Sequence, residues 1–183
     1  MLPSESETEG GLFPAHVCDF MILSGEKVSK YVKAPPEIKI NPNGVDVKVS
    51  EVWKIDDNTV SVLNGKVRET NPQKKLMEPD DQGFYNLVNG IYEVRIANEV
   101  EIPNKFTGML LPRSSLNRLG MIKSESALWD SGYKGFGTQT IFIPIKLFKI
   151  HKNDFWFQFI LLSSEESKNL YDGHWQNEKP KFK

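Results

Sequence analysis

Val45, Val47 and Val49 alternate with Asp46, Lys48 and Ser50, and this period of two constrains the chain more than any other feature. Only along a strand do successive side chains face opposite ways, so the alternation predicts a half-buried strand. The pattern returns at Tyr92, Val94 and Ile96, and again at Ile141, Ile143, Ile145 and Leu147. Pro144 lies inside the last run and carries no N–H, which predicts an edge strand or a bulge there. Phe155–Leu162 is apolar throughout, as a strand buried on both faces requires. Val60-Ser61-Val62 and Val67 flank Asn64-Gly65, a two-residue hairpin signal, and the polar stretch 70–82 reads as a loop. Helical spacing is confined to one segment. Ile22, Val28 and Val32 follow it, Ser24 stands where an N-cap would, and a short helix is expected from about Gly25 to Val32, ended by Pro35 and Pro36. Many short strands with one or two short helices describe an all-β β-barrel or jelly-roll sandwich.

The chain has 183 residues, enough for one domain that buries roughly 70% of its unfolded surface. We divide it into a flexible arm (1–18), a β domain (19–162) and a polar C-terminal tail (163–183). Hydrophobic residues make up 39% of the chain, with no run long enough to span a membrane. The net charge of −1 gives no bulk field for nucleic acid, so any bound phosphate must meet local donors. Cys18 is the only cysteine, and His16, His151 and His174 lack metal-ligand spacing, which argues against a disulfide or a zinc centre. The acidic start MLPSESETEGG has no signal-peptide character, so a cytoplasmic location is expected.

Two clusters carry chemistry. Pro112-Arg113-Ser114-Ser115-Leu116-Asn117-Arg118-Leu119-Gly120 reads as a short helix capped by serine and closed by Gly120. Its first turn offers backbone N–H groups, and Arg113 and Arg118 add positive charge, a combination that suits polyphosphate. An ordinary capped helix with solvated arginines fits the same residues. In Ala127-Leu128-Trp129-Asp130-Ser131-Gly132-Tyr133-Lys134-Gly135, Ser-Gly predicts a tight turn that presents Asp130 beside Tyr133. A carboxylate there can orient a water, and a tyrosine ring can pack against a sugar. A carboxylate that merely caps the turn is the plainer alternative.

In order, spacing and flanks the two clusters resemble the dUTPase/dCTP-deaminase family. Ile40-Asn41-Pro42-Asn43-Gly44-Val45-Asp46-Val47 is similar to its first motif, Pro112–Gly120 to its second, and Ala127–Gly135 to its third. Gln158, in Phe155-Trp156-Phe157-Gln158-Phe159, stands where the fourth motif has its glutamine. Tyr171-Asp172-Gly173-His174 resembles a tail motif of the deaminase branch.

The resemblance implies a distorted β-barrel that assembles as a homotrimer, with its active sites at subunit interfaces. It implies that Arg113, Ser114, Ser115 and Arg118 hold a triphosphate, that Gln158 of another subunit contacts phosphate or water, and that Asp46 lies beside the site. Tyr133 would stack on the deoxyribose and Tyr171 would help to close the site. Asp130 would bind the 3′-hydroxyl and aim a water at the α-phosphorus of dUTP, giving dUMP and pyrophosphate. Mg²⁺ would be carried by the triphosphate and waters rather than by protein ligands.

Deaminases of the family place a catalytic glutamate ten residues beyond the third-motif aspartate, where this chain has Thr140. Threonine cannot serve as a base near neutral pH, and residues 131–153 contain no carboxylate to replace it. The deaminase run before the aspartate also departs, as Lys123-Ser124-Glu125-Ser126. dUTP hydrolysis is therefore the expected chemistry, with dCTP deamination, alone or coupled to it, as the alternative. The fourth motif reads Asn153-Asp154-Phe155-Trp156 in place of Gly-x-Arg-Ile, and a glycine-rich fifth motif is missing. Those departures leave a nucleotide-binding trimer without turnover as a third reading.

Overall fold

In a computed structural model, residues 21–64, 67–68, 73–125 and 128–180 are described. The expected arm at 1–18 lies outside them. In chain order the elements are α1 (Gly25–Val28), β1 (Lys39–Asn41), β2 (Gly44–Val47), β3 (Val49–Ile55), β4 (Leu63–Asn64), β5 (Val67–Arg68), β6 (Lys74–Leu76), β7 (Phe84–Ile96), β8 (Val100–Glu101), β9 (Phe106–Pro112), α2 (Ser114–Arg118), β10 (Ile122–Lys123), β11 (Lys134–Gly135), β12 (Thr138–His151) and β13 (Phe157–Ser163). The chain is mainly β, as its periodicity predicts. One sheet has the order β1-β2-β13-β9 and the other β10-β12-β7-β3-β6, with small ladders β11-β8 and β4-β5. Among the described residues the two sheets do not close on each other. They cover one core, in which Val45, Phe157 and Phe159 of the first sheet meet Tyr92, Val94 and Ile141 of the second. Among the described residues no helix is long and apolar enough to cross a membrane.

Several local expectations shift. β2 is buried at all four residues, Asp46 included, so this strand is covered on both faces rather than one. The helix near residue 25 is one α-turn continued by a 3₁₀ turn at Ser29–Tyr31, and Ser24 makes no side-chain cap bond. β4 pairs Asn64 with Val67, so Asn64 is a strand residue rather than a turn residue, and Gly65 lies outside the described residues. Within the stretch read as loop, Lys74–Leu76 adds to the edge of β3. Pro144 falls at the irregularity between Ile143 and Leu147, where β12 slips against β7. The slip reverses which residues point inward: Ile141 and Ile143 are buried before it, Phe148 and Ile150 after it, and Ile145 and Leu147 stay outside.

Candidate functional site

β13 runs between β2 and β9, placing Gln158 opposite Asp46 on one side and Leu111 on the other. Direct cross-strand partners share a face, so Gln158 and Asp46 emerge together. Asp46 is 4% exposed. It accepts a hydrogen bond from Asn41 Nδ2 at 2.6 Å and pairs with Arg113 Nε at 2.9 Å. Arg113 also donates to the Phe155 carbonyl, and Gln158 Nε2 donates to the Asn43 carbonyl at 2.7 Å.

α2 begins at the end of β9 with Arg113, not a serine, as its N-cap, and the Arg113 side chain makes no cap hydrogen bond. Ser114 and Ser115 therefore occupy the first helical turn, exposed, with Arg118 exposed one turn on. Backbone N–H groups of a first helical turn have no partner inside the helix. The helix ends as expected: Met121 N–H bonds Leu116 O and Gly120 has φ of 102°, the geometry of a Schellman stop.

The second cluster is a turn in which Tyr133 N–H bonds Asp130 O at 3.0 Å, with Gly132 at φ 89°. That is the position a type II turn gives to glycine. The turn is pinned to the β8–β9 connection by Gly132 N–H to Ile102 O and by Ser131 Oγ to Phe106 O. Asp130 stays exposed while Tyr133 is buried. The Tyr133 ring packs 5.5 Å from Trp129 and 5.6 Å from Tyr171. Its hydroxyl is buried and, among the described residues, has no hydrogen-bond partner. Burial, then the charge of Glu178, raises its pKa well above the ordinary phenol value.

The tail folds back over this turn. Tyr171 N–H bonds Ser131 O, Gln176 Nε2 bonds Gly132 O, and Lys134 N–H bonds Gln176 Oε1. Between tail and turn lies a pocket of about 290 Å³ walled by Trp129, Tyr133, Tyr171 and Trp175, with Asp130, Thr138, Gln139 and Glu178 as its polar groups. Aromatic walls with a few convergent polar groups suit a small planar ligand. Thr140 does not line the pocket, and its carbonyl accepts from Ser124. Lys123 is buried behind Gln139 and donates to its Oε1, and burial lowers the lysine pKa.

Sequence reading missed Glu178 and Arg95. Arg95 on β7 is buried between Glu51 at 3.0 Å and Glu178 at 2.5 Å. No local spacing announces that pairing, because it depends on the tail returning to the second sheet.

The chain does not bring its two clusters together. Trp129, next to Asp130, bridges Gly108 near the start of β9, whereas Ser114 follows the far end of that strand. At a strand rise of about 3.3 Å per residue, the five steps from Gly108 to Arg113 span roughly 17 Å. Among the described residues no three His, Cys, Asp or Glu side chains gather as a metal cage.

A model of the dCTP deaminase-like family matches residues 22–163. A protein of Methanosarcina barkeri named as a probable deoxyuridine 5′-triphosphate nucleotidohydrolase is 31% identical over 172 residues, covering 87% of this chain and 99% of its own. The deoxyuridine 5′-triphosphate nucleotidohydrolase of Methanocaldococcus jannaschii is 26% identical over 155 residues, covering 84% and 97%. Among solved structures, the 2′-deoxycytidine 5′-triphosphate deaminase of Agrobacterium tumefaciens aligns with a TM-score of 0.60 at 14% identity. That alignment covers 79% of this chain, which spans about half (49%) of the deaminase chain, and the likeness is one of fold.

Proposed function

Because the chain belongs to the dCTP deaminase-like family of enzymes, we propose that it hydrolyses dUTP to dUMP and pyrophosphate by attack of water on the α-phosphorus. The observation that carries this reading is Asp130: an exposed carboxylate at a pocket with aromatic walls, on a turn pinned at both ends. Related proteins named as dUTP nucleotidohydrolases support the substrate.

In this reading the deoxynucleoside enters the pocket and packs against Tyr133, with Tyr171 closing it from the tail. Asp130 accepts hydrogen bonds from the 3′-hydroxyl and from the attacking water, orienting the water toward phosphorus. The triphosphate lies along the first turn of α2, where Ser114 and Ser115 offer N–H and O–H donors and Arg118 offers charge. Arg113 contributes less directly, since Asp46 and the Phe155 carbonyl already hold its guanidinium. Gln158 projects from the same face as Asp46 toward phosphate or water. A triphosphate-bound Mg²⁺ fits a site where, among the described residues, no three carboxylate, His or Cys side chains gather as a cage, and when bound it would neutralise phosphate charge. We place the reaction in the cytoplasm, with neither membrane nor nucleic acid as partner.

One chain separates Asp130 from Ser114 and Ser115, so a complete site takes them from two copies. A homotrimer supplies that arrangement. A strip of exposed apolar residues supports it: Phe142 is cross-strand from Ile91 and Ile122, and Leu147 from Val88, on the outer face of the second sheet. Exposed apolar surface of this kind marks an association face.

Deamination of dCTP is the second reading, favoured by the description of the family model. It lacks a base at position 140. Incubation with dUTP and with dCTP, each with Mg²⁺, separates the two. Hydrolysis predicts dUMP and pyrophosphate from dUTP and no ammonia from dCTP. Unchanged dUTP would contradict it.

A further inference from the structure

The Glu178 side chain of the C-terminal segment reaches Arg95 of the second sheet, and we propose that Glu178 is a positioning residue for the pocket. Seated on Arg95, it holds the segment against the 131–136 turn and so sets the wall formed by Tyr133 and Tyr171. The proposal rests on the reading that this pocket takes the nucleoside.

Arg95 joins three parts of the molecule. Its Nε donates to Glu51 of β3, and its Nη1 donates both to the Phe136 carbonyl beyond the turn and to Glu178 Oε1 of the tail. Backbone contacts continue the seam: Phe136 N–H bonds Glu178 O, and Asn177 N–H bonds Lys134 O. Packing along it is tight. A Cβ placed on Gly135 would lie 3.0 Å from both Glu178 N and Tyr133 Oη. The unpartnered Tyr133 hydroxyl is thus buried where the tail crosses. Tyr171 enters the same wall, its ring edge-on to Tyr133. Removing the tail from Arg95 therefore removes one pocket wall and uncovers the other.

The contact can be lost without wrecking the core. Glu51 has a side-chain exposure of 2% and stays on Arg95 when Glu178 leaves, so the buried guanidinium keeps a carboxylate partner. A residue whose loss leaves the core paired affects the pocket before it affects the fold.

Two variants and three readouts, one of them a melting curve, test this. Without nucleotide, chymotryptic cleavage after Tyr171 and Trp175 reports release of the tail. With dUTP, KM and kcat report the pocket. Loss of a hydrogen bond to a charged group corresponds to about tenfold or more in an equilibrium constant. Glu178→Ala is expected to be cleaved about tenfold faster and to raise KM about tenfold, with kcat within about twofold and the thermal midpoint unmoved. Glu178→Gln, which can still accept from Arg95, is expected to recover most of both effects. Wild-type cleavage and KM in Glu178→Ala would overturn the proposal. So would KM, kcat and thermal midpoint deteriorating together in both variants. If the wild-type protein leaves dUTP intact, the functional reading fails, yet the cleavage rates still decide whether Glu178 holds the tail.

Discussion

Arg113 Nε lies 2.9 Å from Asp46 Oδ2, tying the N-cap of α2 to the interior of β2. The carboxylate is buried and also accepts from Asn41, so it sets the direction in which the helix leaves the sheet. Asp46→Ala strands a half-buried guanidinium and an amide. Breaking a buried pair from one side costs several kcal/mol, and the partial exposure of Arg113 lowers this to about 2–3 kcal/mol. Urea denaturation is expected to show that loss, with KM for dUTP raised because Ser114 and Ser115 lose their placement. An unchanged midpoint would mean that the pair does not organise the helix.

Gly132 carries the turn that presents Asp130. At φ 89°, alanine is strained, and its Cβ would come 2.7 Å from Leu170 Cβ and 3.1 Å from Tyr171 N. Gly132→Ala is expected to lose about 1 kcal/mol or more of stability and at least tenfold in kcat/KM. Steady-state kinetics with a melting curve check this, and wild-type kcat/KM would show that turn geometry does not govern turnover.

The strands legible in the sequence were those whose pattern is local. The periods at Tyr92–Ile96 and Ile141–Ile143, and the apolar run to Leu162, became β7, β12 and β13 because burial alone selects a face. The burial of Asp46 was not legible, since it depends on Arg113 and Asn41 arriving from elsewhere in the chain. Nor was the inward turn of Phe148 and Ile150, which follows from how far β12 slips at Pro144. At the site, the turn at Asp130 and the helix at Ser114 could be read, with Arg113 in place of a serine as its cap. Glu178 and Arg95 could not, because 83 residues separate two side chains that only the returning tail brings together.

If the site forms between copies, two defective variants should repair each other. Asp130→Asn damages the turn side and Arg118→Ala the helix side. Each alone is expected to lose at least 100-fold in kcat/KM, an effect of the size seen when a catalytic or charge-stabilising group is removed. Co-refolded, the mixture should regain a sizeable fraction of wild-type turnover, since some interfaces then pair two intact halves. No recovery in confirmed mixed oligomers would place both residues in one chain's site.

Burial raises the pKa of Glu178 above its ordinary 4.5, outweighing Arg95, while Glu93, Glu51 and Tyr133 also face this region. A carboxyl whose pKa is higher docked than free takes up a proton on docking. The proton-linked part of its docking, added to the Arg95 contact itself, is full below the ordinary carboxyl value and is lost as pH rises through the docked value. Exchange of the Asn177 amide, corrected for the intrinsic effect of pH, is therefore expected to slow as pH falls toward about 5. In Glu178→Gln the dependence should flatten. Faster corrected exchange at acid pH would reverse the assigned direction.

Everything converges on Asp130, and one substitution isolates it. Asp130→Asn keeps the size of an exposed side chain, so fold and assembly should persist. The variant is expected to bind a non-hydrolysable dUTP analogue within about threefold of wild type, while kcat for pyrophosphate release from dUTP falls at least 100-fold. Wild-type turnover in Asp130→Asn would contradict the account, because water would then be aimed at the α-phosphorus without that carboxylate.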